Sequence, residues 1–181
     1  ERNQEASEMV RALAKLFRIS ISKGHELITV ERELQHAESY LKIQKYRYGN
    51  SFTYEMDVDS CCYQYMCNKI MLQPLIENAL YHGLDMVEEG KIIIGVYEKG
   101  EEIILKVEDN GVGMTKEECE AILHKEASHK ETSYKTGIGI KNVDDRIKIY
   151  FGNQYGLSIT SELDEGTKVE IRMPKVLEGH L

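Results

Sequence analysis

The 181-residue chain has no excess of basic charge: 23 Lys and Arg stand against 31 Asp and Glu, a formal net charge of −8 with a pI near 5.3. Polynucleotide binding draws on basic side chains that displace counterions, so this balance argues against a nucleic-acid partner. The chain also lacks any run of about 18 apolar residues, so no segment reads as a bilayer span. Its polar start, ERNQEASEMV, does not read as a signal peptide. A soluble chain without direct membrane contact is the expectation. The four cysteines, Cys61, Cys62, Cys67 and Cys119, lack paired metal-ligand spacing, and the adjacency of Cys61 and Cys62 suits neither a C-x-x-C site nor a disulfide framework. They read as reduced thiols of a cytosolic protein. No internal repeat or low-complexity linker interrupts the sequence.

What is present is an apolar share of 41%, enough for a real core in one domain, or in one domain with an appended helical piece. The acidity is local. Residues 85–120 hold eleven acids and four bases, a net of −7, whereas 124–148 hold six bases and four acids, a net of +2.

The period of the apolar residues changes near residue 50. Met9, Val10, Leu13, Leu16, Phe17 and Ile21 recur at three- and four-residue spacing, which predicts an amphipathic helix stopping at Lys23-Gly24. A second helix is expected from Val30 to Tyr48, capped by Thr29, with Glu31 and Glu33 at the positive end of its dipole and Leu34, Ala37, Leu41, Gln44 and Tyr48 on one stripe. The two stripes of this hairpin need a partner, either the main domain or a second copy of the chain. From residue 52, Phe52, Tyr54, Met56 and Val58 alternate with polar residues as in a half-buried strand. A helix carrying Leu72, Leu75, Ile76, Ala79 and Leu80 follows, with Pro74 in its first turn and Gly83 at its end. Strands are expected at 91–98 and 102–108, and Thr115 to Glu118 form a capping box for a short helix through Leu123. Residues 125–136 contain no branched aliphatic side chain to hold them down. A helix with Ile140, Val143, Ile147 and Tyr150 on one face comes next, then strands at 156–161 and 167–173.

Four short segments in fixed order carry the chemistry. QPLIENALYHG (73–83) places Glu77, Asn78, Tyr81 and His82 on the polar side of a helix; by itself this is an ordinary solvated face. In DNGVGM (109–114) an acid ends an apolar strand and two glycines permit close backbone approach, although Asn-Gly is also a common turn. TGIGIKNV (136–143) sets free backbone N–H groups at a helix start, an arrangement suited to anions. DEGT (164–167) lies between two strands, where a plain hairpin turn would explain it. Their joint occurrence resembles the N box and the three glycine boxes of the GHKL ATP-binding superfamily of gyrase, Hsp90, histidine kinases and MutL. The match runs from about residue 52 to 174. The wording of the first box is similar to histidine kinases, and Leu13 to Gly49 resembles sensor kinases of the LytS/YesM type.

The resemblance implies an α+β fold: a two-layer sandwich, its mixed, mostly antiparallel sheet covered by helices on one face, preceded by a helical hairpin. It divides the chain into 1–50 (part of the dimerisation helix plus a linking helix), 51–176 (the ATP-binding catalytic domain) and a tail at 177–181. It implies that Asp109 accepts a hydrogen bond from the exocyclic amine of adenine, where guanine's carbonyl would be repelled, with Thr167 supporting the contact through water. Asn78 would ligate Mg²⁺ through its side-chain oxygen. Glu77 would orient or deprotonate the nucleophile, and His82 would reach a phosphate or its ion. Gly111 and Gly113 would admit the nucleotide, and Gly137 and Gly139 would present N–H groups to the phosphates, with Lys141 adding charge. Residues 115–136 correspond to the ATP lid, whose Lys130 and Lys135 would screen the triphosphate. The acidic 85–120 then surrounds the adenine end, and the net-positive 124–148 faces the phosphates.

A histidine kinase also needs an acceptor histidine, which in the LytS/YesM type lies in a P-H-F motif on an earlier helix. The motif is absent here. His25-Glu26 is a poor substitute, because Gly24 breaks the helix just before it. His36 is expected at the surface or in helix packing, and His124, His129 and His180 in the lid or tail. The chain therefore reads as the C-terminal catalytic part of the cytoplasmic portion of a membrane sensor, homodimeric when intact, binding Mg·ATP without phosphorylating itself and passing phosphate to a response-regulator aspartate. A gyrase-type ATPase would need a following domain to supply a lysine, and a non-catalytic nucleotide-binding module leaves Glu77 and Asn78 without a purpose.

Overall fold

The computed structural model describes residues 2–21, 26–49, 51–84, 87–124 and 137–179. Helix α1 (Arg2–Ser20) and helix α2 (Val30–Tyr48) form the expected hairpin, joined through a short strand β1 (Leu27–Thr29). The Thr29 hydroxyl accepts the backbone N–H of Arg32, the cap that the sequence proposed. The apolar arc of α1 is wider than one partner covers. Ala12 and Ile19 are buried and Leu16 packs on the core, while Met9, Val10, Leu13, Phe17 and Ile21 remain exposed.

Strands β2 (Phe52–Val58), β4 (Gly90–Lys99), β5 (Glu102–Asp109), β7 (Gly166–Pro174) and β6 (Gly156–Glu162) make one sheet in the order β2-β4-β5-β7-β6. β2 and β4 are parallel and the other neighbours antiparallel, so the sheet is mixed and mostly antiparallel as expected. Helices α3 (Leu72–Asn78) and α5 (Gly137–Phe151) pack with the sheet around Ile92, Ile94, Leu105, Ile171, Leu75 and Ile147, all buried. A shorter helix α4 (Lys116–His124) begins at the Thr115–Glu118 capping box, whose reciprocal hydrogen bonds are formed. Tyr150 departs from the sequence reading. It is 42% exposed, in the last turn of α5 beyond the buried Ile140, Val143 and Ile147.

Two features were not visible in the periodicity. β3 (Met66–Asn68) pairs antiparallel with β1, and the backbone N–H of Val30 bonds the carbonyl of Tyr65, which stitches the start of α2 to the main sheet domain. α3 does not run straight to Gly83. It widens at Ala79–Gly83 into a π turn in which the Leu84 N–H reaches the Ala79 carbonyl. The buried residues of α2, among them Val30, Leu34, Ala37 and Leu41, belong to the same core as the sheet.

Candidate functional site

Asp109 ends β5 and is 6% exposed. Its carboxylate accepts the Gly111 N–H at 2.9 Å and a backbone hydrogen bond from Thr167, the residue paired with it across β5 and β7. Burial outweighs these bonds and pushes the carboxyl up to about 6. A carboxylate held this way has lone pairs and little solvent, which is what recognition of an amino group requires. Thr167 is also buried, and its hydroxyl lies 2.9 Å from Ser161 Oγ. Ser161 gives its single proton to the Gly166 carbonyl and accepts the Met114 N–H, so the Thr167 hydroxyl must donate to Ser161. Thr167 therefore offers only lone pairs to a ligand.

The glycines also serve packing. A Cβ on Gly111 would sit 2.3 Å from the Gly83 carbonyl oxygen, and one on Gly113, whose φ is +68°, would sit 1.9 Å from that of Glu162. Backbone fills the room on the side a Cβ would take in both. The Val112 N–H bonds the Gly83 carbonyl and the Asp164 N–H bonds the Val112 carbonyl, closing this packed knot. Gly83 and Gly166 complete it, since a Cβ on the first would meet Asp109 Oδ1 at 2.6 Å and on the second the Asp109 carbonyl at 2.0 Å. Gly83, the last residue of the first motif, thus ties the π turn to Asp109.

Asn78 closes α3 at 6% exposure, and its Oδ1 has no hydrogen-bond partner among the described residues. A buried amide oxygen left unpaired is costly unless something accepts its lone pairs. A hard cation fits that need, and an oxygen donor from an amide is a normal Mg²⁺ ligand. Glu77 is half-buried and takes a 2.7 Å hydrogen bond from Gln73 Nε2. Its neighbour across the helix interface is Tyr40 of α2, whose hydroxyl is pushed up by burial, then by its contact with Tyr81, with Glu77 contributing. His82 sits in the π turn and is exposed, whereas Asn78 is buried.

Gly137 opens α5, a helix of 15 residues. Gly139 faces the first turn of α3, where a Cβ would stand 3.2 Å from Pro74 Cβ, so the glycine lets the two helices approach. Lys141 does not present a free charge, because its ammonium is paired with Asp145 one turn on. Lys148 is likewise paired with Asp144, so the net-positive balance of 124–148 rests on Arg146 and on residues outside the described ones. Lys130 and Lys135 lie outside the described residues. Among the described residues, no group of three or more His, Cys, Asp or Glu side chains could hold a metal. Any ion here would depend on Asn78, phosphate and water.

Known proteins match along the same lines. The family model for histidine kinase matches residues 1–52, and that for histidine kinase-, DNA gyrase B- and HSP90-like ATPase matches residues 68–177. Sensor histidine kinase YesM of Bacillus subtilis is 31% identical over 172 residues, 94% of this chain and 28% of that protein. Sensor histidine kinase BtsS of Escherichia coli K12 is 27% identical over 173 residues, covering 95% and 28%. The chain thus spans under a third of the length of these relatives. In fold, the catalytic domain of histidine kinase ThkA superposes with a TM-score of 0.62 at 16% identity, covering 84% of this chain and 99% of that one. Acinetobacter baumannii histidine kinase AdeS gives 0.60 at 17%, covering 92% and 76%.

Proposed function

The chain belongs to the histidine kinase-, DNA gyrase B- and HSP90-like ATPase family, and on that premise we propose that it is the ATP-binding catalytic part of a LytS/YesM-type sensor histidine kinase, working with Mg²⁺. The observation that carries the reading is a pair of buried, differently satisfied groups, one ending β5 and one ending α3. Asp109 is held for an amino group, and Asn78 Oδ1 is left for a cation.

In this reading adenine's exocyclic amine donates to Asp109, and the Thr167 hydroxyl accepts a bridging water, while guanine would set its carbonyl against the carboxylate. One charge-assisted bond of roughly 1.5–3 kcal/mol supplies about 10- to 150-fold in affinity. The amides of Gly137 and Gly139 at the start of α5 hold phosphate oxygens. Mg²⁺, held by Asn78 Oδ1, supplies charge neutralisation on the phosphates. Glu77 orients the acceptor imidazole. A ring nitrogen attacks the γ-phosphorus as the bond to the bridging oxygen of ADP breaks, and Glu77 takes the imidazole proton. Positioning and charge stabilisation suffice for such a transfer. The acceptor lies on another segment of the parent protein, which would pass the phosphate to an aspartate of a response regulator. The exposed Met9, Leu13 and Phe17 of α1 suit a homodimer in the intact protein, a membrane-anchored sensor whose cytoplasmic part includes this chain.

Radiolabelled ATP with Mg²⁺ tests the catalytic reading. The chain alone should stay unlabelled, and the parent protein should acquire acid-labile, base-stable phosphate that Glu77→Ala removes. Label on this chain that His25→Ala abolishes would contradict it, as would a parent protein labelled equally with and without Glu77.

A further inference from the structure

The helix that carries Glu77 and Asn78 does not cap itself. α3 starts after Met71, which offers no side-chain acceptor, and Ile70 just before it holds a φ of +57°, a conformation that a β-branched residue adopts only under constraint. The constraint comes from α2. Glu33 Oε1 accepts the N–H groups of both Met71 and Leu72, and Oε2 accepts that of Ile70, all at 2.8 Å. Glu33 is fully buried, and among the described residues the three N–H groups of this turn satisfy its carboxylate, with the charge of Arg146 also acting on it. The negative charge also meets the positive end of the α3 dipole.

The same face of α2 touches α3 twice more at intervals of seven residues, two helical turns. The Tyr40 hydroxyl lies 3.5 Å from that of Tyr81, with Glu77 beside it, and Arg47 Nη1 lies 3.4 Å from the Tyr81 hydroxyl. The stronger grip is at Glu33. There the turn is also held by Arg146 of α5, which donates to the Lys69 carbonyl at 2.9 Å.

We propose that Glu33 is a positioning residue of the nucleotide site: by gripping the start of α3 it sets where Glu77 and Asn78 stand, and so couples the placement of α2 to Mg²⁺-dependent nucleotide binding. This rests on the ATP reading given above. Asp109 is anchored chiefly by β5 and β7 and meets the α3 side through Gly83 at the far end of the π turn, so adenine recognition should depend less on the grip. Substitutions in partners behind a metal ligand typically cost about 10- to 100-fold in metal affinity, and that range is expected here.

The experiment is the affinity for a fluorescent ATP analogue in Mg²⁺ and in EDTA, read as the ratio of the two, for the wild-type chain, Glu33→Gln and Glu33→Asp. Glutamine keeps the shape but turns an N–H₂ toward one of the three backbone donors, and aspartate keeps the charge but falls short by one methylene. The proposal expects the ratio to fall about tenfold or more in Glu33→Gln while the EDTA affinity holds. Ile103→Val, buried on β5 away from the turn, provides a variant of lowered Tm whose ratio should be unchanged. If Glu33→Gln does not fold, Glu33→Asp carries the test. An unchanged ratio in the folded variant overturns this proposal alone. A wild-type ratio of one overturns the Mg²⁺ part of the ATP reading and this inference with it, and absence of binding overturns the ATP reading itself.

Discussion

Asp109 and Thr167 face each other across the β5–β7 ladder, and the backbone of the second helps hold the carboxylate of the first. Burial nevertheless raises that carboxyl to about 6, so the group that should accept adenine's amine is within reach of protonation. Affinity for ATP should be flat above pH 7 and fall below pH 6, approaching tenfold per unit as the carboxylate is lost. Titration by fluorescence between pH 5 and 8 measures it. Asp109→Ala should bind weakly throughout and lose this slope.

Gly113 and Gly100 share nearly the same backbone, with φ of +68° and +61°, but only Gly113 is walled in. Gly100→Ala meets open space and should cost about 1 kcal/mol, the penalty for the conformation. Gly113→Ala adds a contact of 1.9 Å with the Glu162 carbonyl. Its loss should exceed that of Gly100→Ala by about 2 kcal/mol or more, several degrees in Tm for a chain of this length. Thermal unfolding of the two variants without nucleotide checks it. Equal losses would mean that the glycines of this motif are needed for ligand access and not for packing.

His36 should make stability pH-dependent. It is fully buried on α2 with Nε2 at 3.1 Å from Ser20 Oγ, which donates its own proton to the Leu16 carbonyl, so Nε2 carries a hydrogen and donates to Ser20. Burial lowers its pKa from the ordinary 6.5. The unfolded chain takes up a proton first, so the His36 contribution is complete above about pH 6.5 and is lost as pH falls below it. Asp109 acts with the opposite sign, contributing stability below its unfolded value of 3.8 that disappears as pH rises through about 6. The difference in stability between wild type and His36→Gln, measured by urea unfolding, should therefore shrink from pH 7 to pH 5.

The exposed stripe of α1 should be covered in a dimer. Phe17, at 52% exposure, sits at its centre with Leu13 one turn before it. Sedimentation should show association that Phe17→Glu abolishes without altering ATP affinity, since α1 is remote from Asp109 and Asn78 in the order of packed elements.

The sequence carried the strand and helix order because each element has its own period, as in the alternation of Phe52 to Val58 or the stripe of Ile140, Val143 and Ile147. It also carried the site segments, because Asp109, Asn78 and Thr167 fall at or near the ends of elements whose own period is legible, although the pairing of Asp109 with Thr167 is long-range. Four things needed the folded structure. The Glu33 grip joins residues nearly forty positions apart, and no periodicity reports it. The paired state of Lys141 depends on a rotamer choice between Asp145 and a ligand. The packing role of Gly111 and Gly113 depends on Gly83 and Glu162 arriving from elsewhere in the chain, so a glycine reserved for backbone looks the same in sequence as one reserved for a ligand. The π turn is similarly silent, since a single added residue does not disturb an apolar pattern as short as Leu72 to Leu80.

The most direct measurement is equilibrium binding of a fluorescent ATP analogue to the wild-type chain, Asn78→Ala and Asp109→Ala, each in Mg²⁺ and in EDTA. The two groups should separate. Asp109→Ala should weaken binding by about 10- to 150-fold in both media, whereas Asn78→Ala should weaken it in Mg²⁺ and leave the EDTA value near wild type. Binding that neither substitution weakens would contradict the assignment of the site.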